Sequence, residues 1–455
     1  MKVFGLEKNA TKEALTDGRV TVAVYGLGKM GLPLAAVFAD KGARVIGIDT
    51  SPEVVDQVNK GNCPVTNEPG LPEMLKANVA KGRLSATTDG AAAARESDVM
   101  VILVPCLLNT DKSADLAAVS AVCSSISRGL SKGDFVILET TVPPRTTKDV
   151  VLPILKQSGL KEGEFGLAFC PERTSSGRAI KDITGAYMKV VGGIDRESTG
   201  TAEAIYSVIN KKGVLTVSDT TTAEVVKLFE GVYRDVNIAL SNQLALLCRG
   251  LGVSFTEVLP VVNEPFDEEH KRYHVNLLRP GAGVGGHCIP VYPYFITGTA
   301  KSDTGLIKLA RKINESMPLH MVDLIIEGLN DAGRGIEGSS ILILGLGFRG
   351  GVKETRNSPA IPIIQRLKKL HANVFLYDPL FSKEEIETFG AAYSNSFDNM
   401  DCLVIVTDHQ EFREYDWQKI GNKMRSKVIV DGRQIVIPDR IRKLGFVYKG
   451  IGYKD

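Results

Sequence analysis

The sequence predicts an α/β protein in which two doubly wound parallel sheets are joined by a long helix. Towards both ends of the chain, short apolar runs rich in β-branched residues alternate with helical stretches. This alternation is typical of parallel sheets with crossover helices. The middle of the chain instead contains one long stretch of helical periodicity. Because the chain has 455 residues, we expect several domains instead of a single core.

The first sheet is predicted within residues 19–215. Residues 1–18, which precede it, alternate charged and small residues, so we expect them to form a solvated extension. Helical stretches separate the apolar runs of this block, and this favours parallel pairing. The predicted strands are Val20–Tyr25, Arg44–Asp49, Asp98–Val104, Phe135–Glu139 and Gly166–Phe169.

The long helix lies in a central region, residues 216–335. Thr220–Arg249 contains no proline and a single glycine, and Thr220–Thr222 can cap its start. A helix of this length usually bridges domains or packs against a partner chain. Its apolar residues recur at helical spacing, at Val225, Phe229, Val232, Val236, Ala239 and Leu240.

A second doubly wound domain is predicted in residues 336–455, where the strand–helix alternation returns. The two domains flank the long helix, so the expected order is sheet, helix, sheet. The predicted strands are Ile341–Leu344, Val374–Tyr377, Cys402–Thr407 and Val428–Val430.

Composition and charge exclude several classes of function. The net charge is +2, so nucleic-acid binding is not expected. Apolar runs such as Val99–Pro105 are too short to span a membrane, and Met1–Val20 lacks the apolar core of a signal peptide. We therefore expect a cytoplasmic protein.

No metal site is predicted. The seven cysteines form no CxxC pair, which argues against a disulfide framework and against structural zinc. His270 and His274, beside Asp267, Glu268 and Glu269, come nearest to a metal motif. A solvated surface segment explains them more simply, because a zinc site needs further ligands and a defined second shell.

The motif GxGxxG occurs twice, and the first copy has the full context of a dinucleotide site. It follows a strand and runs directly into a helix, whose N-terminus can bind a pyrophosphate. Asp49 ends the next strand, where an acidic residue binds the ribose hydroxyls and disfavours a 2′-phosphate. NAD is therefore predicted in preference to NADP. The motif consists of Gly26, Leu27, Gly28, Lys29, Met30 and Gly31.

In the second copy, Gly345–Gly350, the tight turn into a helix is interrupted. Residues 351–359 separate the glycines from the next helical stretch. Arg349, just before this segment, and Lys353 and Arg356 within it suit a nucleotide diphosphate bound by side chains. A solvated basic loop is the alternative. We infer one NAD site and one separate nucleotide site.

A cysteine lies in a glycine-rich loop of the central region. Arg279–Pro290, with the sequence RPGAGVGGHCIP, places four glycines and two prolines around Cys288. Backbone can approach a ligand closely in such a loop, so Cys288 is a candidate nucleophile. His287 is a candidate helper, although adjacent residues rarely bring their side chains together. The alternative is a cysteine that serves as a small buried apolar residue.

These features resemble those of a known family. The motifs ETTVPPRTT, CPER, AEVVK, YRDVNIAL, PGAGVGGHCIP, SPA and YKGIG follow the first glycine motif in the family's order. From about Val20 to Gly452, the chain resembles the UDP-glucose/GDP-mannose dehydrogenase superfamily. RDVNIAL and YKGIG look most like the branch that acts on UDP-N-acetylmannosamine or UDP-N-acetylglucosamine.

The resemblance implies two Rossmann-like domains, with NAD in the first and a UDP-sugar in the last. It also implies a homodimer formed through the helix at 220–250 and a four-electron oxidation of a C6 alcohol to a carboxylate. The favoured substrate is UDP-N-acetylmannosamine. A dehydrogenase for UDP-glucose or GDP-mannose, or a catalytically silent protein that binds sugar nucleotides, are the alternatives.

Individual residues acquire roles from the same resemblance. Cys288 would be the nucleophile, Lys227 would stabilise the oxyanions and Glu172 would activate water. Thr141 would hold a water or the nicotinamide amide. The positions implied for substrate are Glu172, Arg173, Lys227, Gly231, Arg234, Phe348 and Arg349. Those implied for the cofactor are the first glycine motif with Asp49, Pro105, Cys106, Thr141, Arg356 and Arg433.

Four features depart from the family's pattern. Tyr292 replaces an Asp, Gly231 replaces an Asn that shares the oxyanion, Glu354 replaces an Asp, and Val104–Leu107 reads VPCL instead of VPTP. One oxyanion donor is worth roughly 3 kcal/mol. Gly231 either makes space that Tyr292 partly fills or allows a close helix crossing. If it makes space, Gly231→Asn is expected to hold or raise kcat.

Overall fold

The computed structural model describes residues 1–174 and 177–454. They form two compact units: Met1–Glu230 with Tyr294–Thr299, and Gly231–Pro293 with the chain from Ala300 onward. The boundary falls inside the long helix. Residues 216–335, which the sequence suggested as one central region, are therefore divided between the two units.

An eight-stranded sheet forms the centre of the first unit, in the order β10-β9-β8-β7-β4-β1-β2-β3. All neighbours pair in parallel except β8 and β9, which are antiparallel. The predicted strands are confirmed, with small differences at their ends. The strands of this unit, including the separate ladder β5–β6, are β1 (Thr21–Tyr25), β2 (Arg44–Ile48), β3 (Leu84–Thr87), β4 (Val99–Ile102), β5 (Leu107–Leu108), β6 (Ala114–Asp115), β7 (Phe135–Leu138), β8 (Gly166–Phe169), β9 (Lys189–Gly193) and β10 (Val214–Thr216).

Side-chain caps define the starts of several helices in this unit. The Ser51, Asp89 and Asp195 side chains accept hydrogen bonds from the first N–H groups of α3, α5 and α9, respectively. π-helical turns occur at Thr147–Val151 and Asp182–Ala186, and a 3-10 turn at Lys156–Ser158. The helices are α1 (Lys8–Thr16), α2 (Gly31–Asp40), α3 (Pro52–Asn59), α4 (Leu71–Ala80), α5 (Gly90–Glu96), α6 (Ala117–Ser127), α7 (Leu152–Leu155), α8 (Ala179–Lys181) and α9 (Arg196–Ile209).

Residues 1–18 are folded onto the first unit, so the prediction of a solvated extension is wrong. Val3 and Leu15 are fully buried, and α1 packs along α9. Phe4 stacks on Phe135, with their ring centroids 6.5 Å apart. The apolar residues of this charged segment are few, and only the tertiary structure shows that they reach the core.

The long helix is confirmed as α10 (Thr220–Gly250). Its sequence favours one uninterrupted helix because it lacks proline. Among the described residues, no helix is both long and apolar enough to cross a membrane. The elements that follow are α11 (Phe255–Val262), the short ladder of β11 (Phe266–Asp267) with β12 (Arg272–Tyr273), α12 (Tyr292–Thr299) and α13 (Gly305–Asp331).

The second unit contains the second doubly wound domain, as predicted. Its sheet has the order β15-β14-β13-β16-β17-β18, and all pairs are parallel. The strands are β13 (Ser340–Leu344), β14 (Asn373–Tyr377), β15 (Ala392–Tyr393), β16 (Cys402–Ile405), β17 (Val428–Asp431) and β18 (Val447–Gly450). The accompanying helices are α14 (Ala360–Lys369), α15 (Lys383–Glu387), α16 (Gln410–Arg413), α17 (Trp417–Gly421) and α18 (Pro438–Lys443).

Candidate active site

The first glycine motif forms the turn between β1 and α2, and its glycines have separate tasks. Gly26 has a φ of 99°, and a Cβ there would lie 2.4 Å from the Leu103 carbonyl oxygen. A Cβ at Gly31 would lie 1.8 Å from the Gly26 carbonyl oxygen, so Gly31 lets α2 pack closely. A Cβ at Gly28 would meet nothing within 4 Å. This open backbone fits a pyrophosphate that approaches the turn.

Asp49 lies beside this turn, directly after β2. Its carboxylate accepts hydrogen bonds of 3.0 Å from the Leu27 N–H and from the Ser51 N–H. The side chain is held at the end of the strand but is only partly buried. An acidic group at this place can accept the ribose hydroxyls and repel a 2′-phosphate. The residues present therefore fit NAD.

Pro105 and Cys106 follow β4 at the same edge of the sheet. The Thr140 hydroxyl donates to the Val104 carbonyl oxygen at 2.8 Å and thereby connects this turn to the end of β7. Burial raises the pKa of the Cys106 thiol to about 12. Cys106 is therefore a neutral thiol at physiological pH and not a competing nucleophile.

Thr141 lies in the loop after β7, and Glu224 connects this loop to α10. The Glu224 carboxylate accepts hydrogen bonds from the Thr147 N–H at 2.8 Å and the Thr147 hydroxyl at 2.6 Å, and a third from the Arg145 N–H. Burial raises the pKa of Glu224 to about 7, although these donors oppose it. Glu224 lies in the motif AEVVK, but the motif alone assigns it no role. Its position three residues before Lys227 is the signal that could have identified it.

Glu172 and Arg173 follow β8. The Glu172 side chain is 12% exposed and lies 3.1 Å from the Lys189 ammonium, so it is not a solvated surface acid. The Arg173 N–H donates to Glu172 at 2.7 Å. The Arg173 guanidinium pairs with Glu230 at 2.8 Å and lies over the Tyr187 ring, 5.7 Å from its centroid. Arg173 therefore has protein partners on both sides.

The loop that carries Cys288 is held by asparagine side chains of α10. The Asn242 side-chain oxygen accepts from the Gly281 N–H at 3.0 Å, and the Asn237 side-chain oxygen accepts from the Leu278 N–H at 2.9 Å. The backbone N–H groups of an irregular loop have no partners in a helix or a sheet. The asparagine side chains accept their hydrogen bonds instead. The start of the loop is therefore fixed to the helix.

The end of the loop packs against the residues that follow β13. The Gly286 N–H donates to the Arg356 carbonyl oxygen, and the Asn357 side chain donates to the Gly286 carbonyl oxygen, both at 2.8 Å. A Cβ at Gly285 would lie 2.3 Å from the Phe348 Cβ. Glycine is therefore required at this position. The structure thus brings Cys288 together with the loop Phe348–Asn357, which the sequence assigned to nucleotide binding.

Arg433 contacts the other end of the same loop. Its guanidinium would lie 3.2 Å from a Cβ at Gly281, and it forms an ion pair of 3.1 Å with Asp408. Burial disfavours the charge on Asp408, but Arg433 and the Gly350 N–H outweigh it and lower the pKa of Asp408 to about 2. The ionised Asp408 therefore orients Arg433.

His287 and Cys288 interact through their side chains, although adjacent residues rarely do so. The hydrogen bond to the Cys288 side chain raises the pKa of His287, and the negative charge of Glu354 adds to this effect. The Cys288 carbonyl oxygen accepts from the N–H groups of Val291 and Tyr292 at 3.0 Å each. These bonds form a tight turn between Cys288 and the start of α12.

Tyr292 occupies the space that Gly231 leaves empty. A Cβ at Gly231 would lie 2.4 Å from the Tyr292 Cδ2 and 3.2 Å from its Cβ. The structure therefore shows close packing, with Tyr292 as the partner. The expectation that Gly231→Asn alone is tolerated is wrong, because the new side chain would overlap the aromatic ring.

The second glycine motif is closed by the protein itself. Asp378, directly after β14, is buried and accepts from the Leu346 N–H at 2.7 Å and the Gly347 N–H at 3.0 Å. The His409 ring lies 3.1 Å from the same carboxylate. These three groups all contact the Asp378 Oδ2. Arg349, Lys353 and Arg356 are all exposed. Lys353 pairs with Glu385 at 2.7 Å, and Arg356 lies 3.7 Å from Glu354.

His270 and His274, which come nearest to a metal motif in the sequence, are both exposed. His270 pairs with Asp267 at 2.7 Å in an exposed turn. In residues 1–174 and 177–454, no group of three or more acidic, His or Cys side chains is arranged to hold an ion.

The site residues are distributed over the two units. Thr141, Glu172 and a partly buried Lys227 belong to the first unit with the NAD motif. The second unit contains Cys288 and an exposed Arg234. It also contains the remaining predicted positions Gly231, Phe348, Arg349, Arg356 and Arg433.

Three domain profiles of one family match successive parts of the chain. The NAD-binding domain of the UDP-glucose/GDP-mannose dehydrogenase family matches residues 20–210. Its central domain matches residues 221–316, and its UDP-binding domain matches residues 342–438. The first match contains the open glycine motif, and the third contains the closed one.

Curated relatives and solved structures are similar over nearly the whole chain. The UDP-N-acetyl-D-mannosamine dehydrogenase of Pyrococcus horikoshii is 36% identical, over 95% of this chain and 99% of that protein. A solved structure of the P. horikoshii enzyme has a TM-score of 0.84 with the same coverage. An NDP-N-acetyl-D-galactosaminuronic acid dehydrogenase from Methanosarcina mazei is 31% identical over 98% of each chain, with a TM-score of 0.84.

The open NAD turn, the UDP-binding domain and these similarities lead to one assignment. This chain belongs to the UDP-glucose/GDP-mannose dehydrogenase family and is an NAD-dependent nucleotide-sugar dehydrogenase.

Proposed function

We propose that the enzyme oxidises the C6 alcohol of a UDP-N-acetylhexosamine to a carboxylate through a thioester on Cys288. UDP-N-acetylmannosamine is the favoured substrate, and relatives named for that sugar support this choice. The observation that carries the proposal is the packing of the Cys288 loop against Phe348 and Asn357 in the UDP-binding domain. A thiol held beside residues that would bind the nucleotide is suited to chemistry on the attached sugar.

The proposed reaction comprises two oxidations and one hydrolysis. One alcohol, two NAD⁺ and one water give one carboxylate, two NADH and three protons. NAD, when bound, accepts the hydride of each oxidation. The Cys288 sulfur forms a bond to the aldehyde carbon between the two oxidations, which gives a thioester after the second. Water then forms the new C–O bond, the C–S bond breaks and the thiolate returns.

The proposed roles divide between base, oxyanion and binding groups. Glu172 activates the water, Lys227 stabilises the oxyanions and Thr141 holds a water or the nicotinamide amide. His287 is the base next to the Cys288 thiol, which supports formation of the nucleophilic thiolate. The proposed contacts with the sugar nucleotide are Glu172, Arg173, Lys227, Gly231, Arg234, Phe348 and Arg349. Those with the cofactor include Asp49, Pro105, Cys106, Arg356 and Arg433.

We also propose a homodimer formed through α10. Tyr233, Leu240 and Leu247 are spaced seven residues apart on this helix and are 57%, 48% and 54% exposed. Apolar residues at this spacing form one stripe along a helix. A second copy of the same stripe would bury these side chains, which are costly to leave in water.

The stoichiometry of the reaction tests the chemical proposal. With UDP-N-acetylmannosamine, the purified enzyme is expected to form two NADH for each sugar consumed, with NAD far better than NADP. Absorbance at the NADH band and chromatography of the product measure the ratio. UDP-glucose and GDP-mannose are the alternative substrates to be tested under the same conditions. A ratio of one with release of aldehyde contradicts the thioester, and turnover confined to a competitor contradicts the choice of sugar.

Cys288→Ala is expected to lower uronate formation by roughly a thousandfold or more, because the nucleophile is lost. NAD binding, measured by fluorescence titration, should be unchanged, since the NAD turn belongs to the other unit. Cys63→Ala is the control thiol and should retain activity if Cys288 is the nucleophile, because Cys63 is a free cysteine outside the proposed site. Cys288→Ser should accumulate an ester that mass spectrometry detects. Full activity in Cys288→Ala excludes this nucleophile.

Gly231→Asn is expected to destabilise the protein, because its Cβ would overlap Tyr292. The double variant Gly231→Asn/Tyr292→Asp recreates the family's pair and provides the missing space. We expect it to recover the melting temperature and to hold or raise kcat. Tyr292→Phe controls for the hydroxyl alone. A double variant no more stable than the single one contradicts the packing argument.

Leu240→Glu is expected to convert the dimer to a monomer, because a buried carboxylate without a partner is unfavourable. Light scattering after size-exclusion chromatography measures the mass. Ile437→Glu is the control, since Ile437 is 66% exposed but lies in the last domain. A dimer that survives Leu240→Glu but not Ile437→Glu places the interface elsewhere.

A further inference from the structure

Three charged side chains meet at the carboxyl ends of the strands in the first unit. The Lys189 ammonium lies 3.0 Å from Glu139 and 3.1 Å from Glu172. Only 9% of the Lys189 side chain is exposed, and the Glu139 side chain is fully buried. One ammonium is therefore shared by two carboxylates inside the protein. Glu139 begins the motif ETTVPPRTT, but the sequence motifs gave no role to Glu139 or to Lys189.

The antiparallel strand explains why these groups converge. Glu139 follows β7 and Glu172 follows β8, so both lie at the carboxyl edge of parallel strands. Lys189 is the first residue of β9, which is antiparallel to β8 and therefore begins where β8 ends. A parallel β9 would have placed its first residue at the opposite edge.

Tyr206 and Cys170 also lie next to the Lys189 ammonium. The Tyr206 hydroxyl donates to Glu139, and the Tyr206 ring lies 4.7 Å from the Lys189 ammonium. Burial raises the pKa of Glu139 to about 7, although Lys189 opposes it. Burial lowers the pKa of Lys189, but the two carboxylates outweigh this effect and raise it above its usual range. Cys170 is also buried beside the ammonium.

An open cleft reaches this cluster from solvent. Glu172, Lys189 and Tyr206 line it together with Arg173 and the partly exposed Tyr187. The carboxylate of Glu172 thus faces a place that water can enter, while Glu139 lies behind Lys189. The arrangement separates an outer carboxylate that can act on water from an inner one that holds the ammonium.

We propose that Lys189, fixed from behind by Glu139 and Tyr206, is a positioning residue that holds the Glu172 carboxylate ready to activate water. This inference rests on the proposed hydrolysis of the Cys288 thioester. In that step Glu172 takes a proton from water, the water oxygen bonds to the acyl carbon and the C–S bond breaks. The ammonium fixes the orientation of the carboxylate before the step, and no electron transfer is involved.

Lys189→Met tests the role, with Lys189→Arg as the conservative variant. Lys189→Met is expected to lower kcat about tenfold or more, with little change in KM, because the general base is misplaced. The acidic limb of the pH profile of kcat should move to higher pH, because Lys189→Met removes the positive charge beside the Glu172 carboxylate. Hydrolysis should become slow enough for rapid mixing to show a burst of two NADH for each Cys288. The thioester should then appear as a mass adduct.

Lys2→Met is the matched control. Lys2 also joins two largely buried carboxylates, Asp98 and Asp134, but these precede β4 and β7 at the opposite edge of the same sheet. Its removal is expected to lower the melting temperature without accumulation of the adduct. Lys189→Arg should restore most of kcat and the position of the acidic limb.

The outcomes separate this inference from the proposed function. If the unmodified enzyme oxidises no nucleotide sugar through a thioester, the proposed function has failed. If it does, but Lys189→Met lowers kcat without the burst, the adduct or the shifted limb, Lys189 is only structural. Should Lys189→Met unfold, Glu139→Gln allows the same measurements, because it removes the carboxylate that holds Lys189 from behind. An unaltered profile in Glu139→Gln overturns the inference.

Discussion

The position of Cys288 depends on the backbone hydrogen bonds of the loop that carries it. An irregular segment has no ladder, and its buried N–H and carbonyl groups need partners. Asn237 and Asn242 supply them at the start of the loop, and Asn357 supplies one at Gly286. The glycines leave room for Phe348 and Arg433. The position of the thiol therefore depends on side-chain amides and on missing Cβ atoms.

At both edges of the first sheet, one lysine pairs with two largely buried carboxylates. A lysine joins two carboxylates at the amino edge, where Lys2 meets Asp98 and Asp134. Lys189 does the same at the carboxyl edge with Glu139 and Glu172. Pairing avoids the cost of an isolated buried charge. The carboxyl edge opens to a cleft, and functional sites in such folds lie at that edge.

The two glycine motifs show how little a short motif determines alone. Both place an acidic residue directly after the second strand, Asp49 in one and Asp378 in the other. Asp49 is partly exposed, and the backbone at the neighbouring Gly28 is open to a ligand. The Asp378 carboxylate instead accepts from the N–H of its own glycine turn and contacts the His409 ring. The same backbone pattern therefore serves a cofactor in one domain and internal packing in the other.

The sequence by itself determined the two doubly wound sheets, the long helix and the preference for NAD, because periodicity and strand-to-helix turns are local signals. The tertiary structure decided the docking of residues 1–18, the filling of Gly231 by Tyr292, and the placement of Lys189 between two carboxylates. Each of these depends on contacts between residues far apart in the chain. The antiparallel direction of β9 decides the last of them, and no local pattern reveals strand direction.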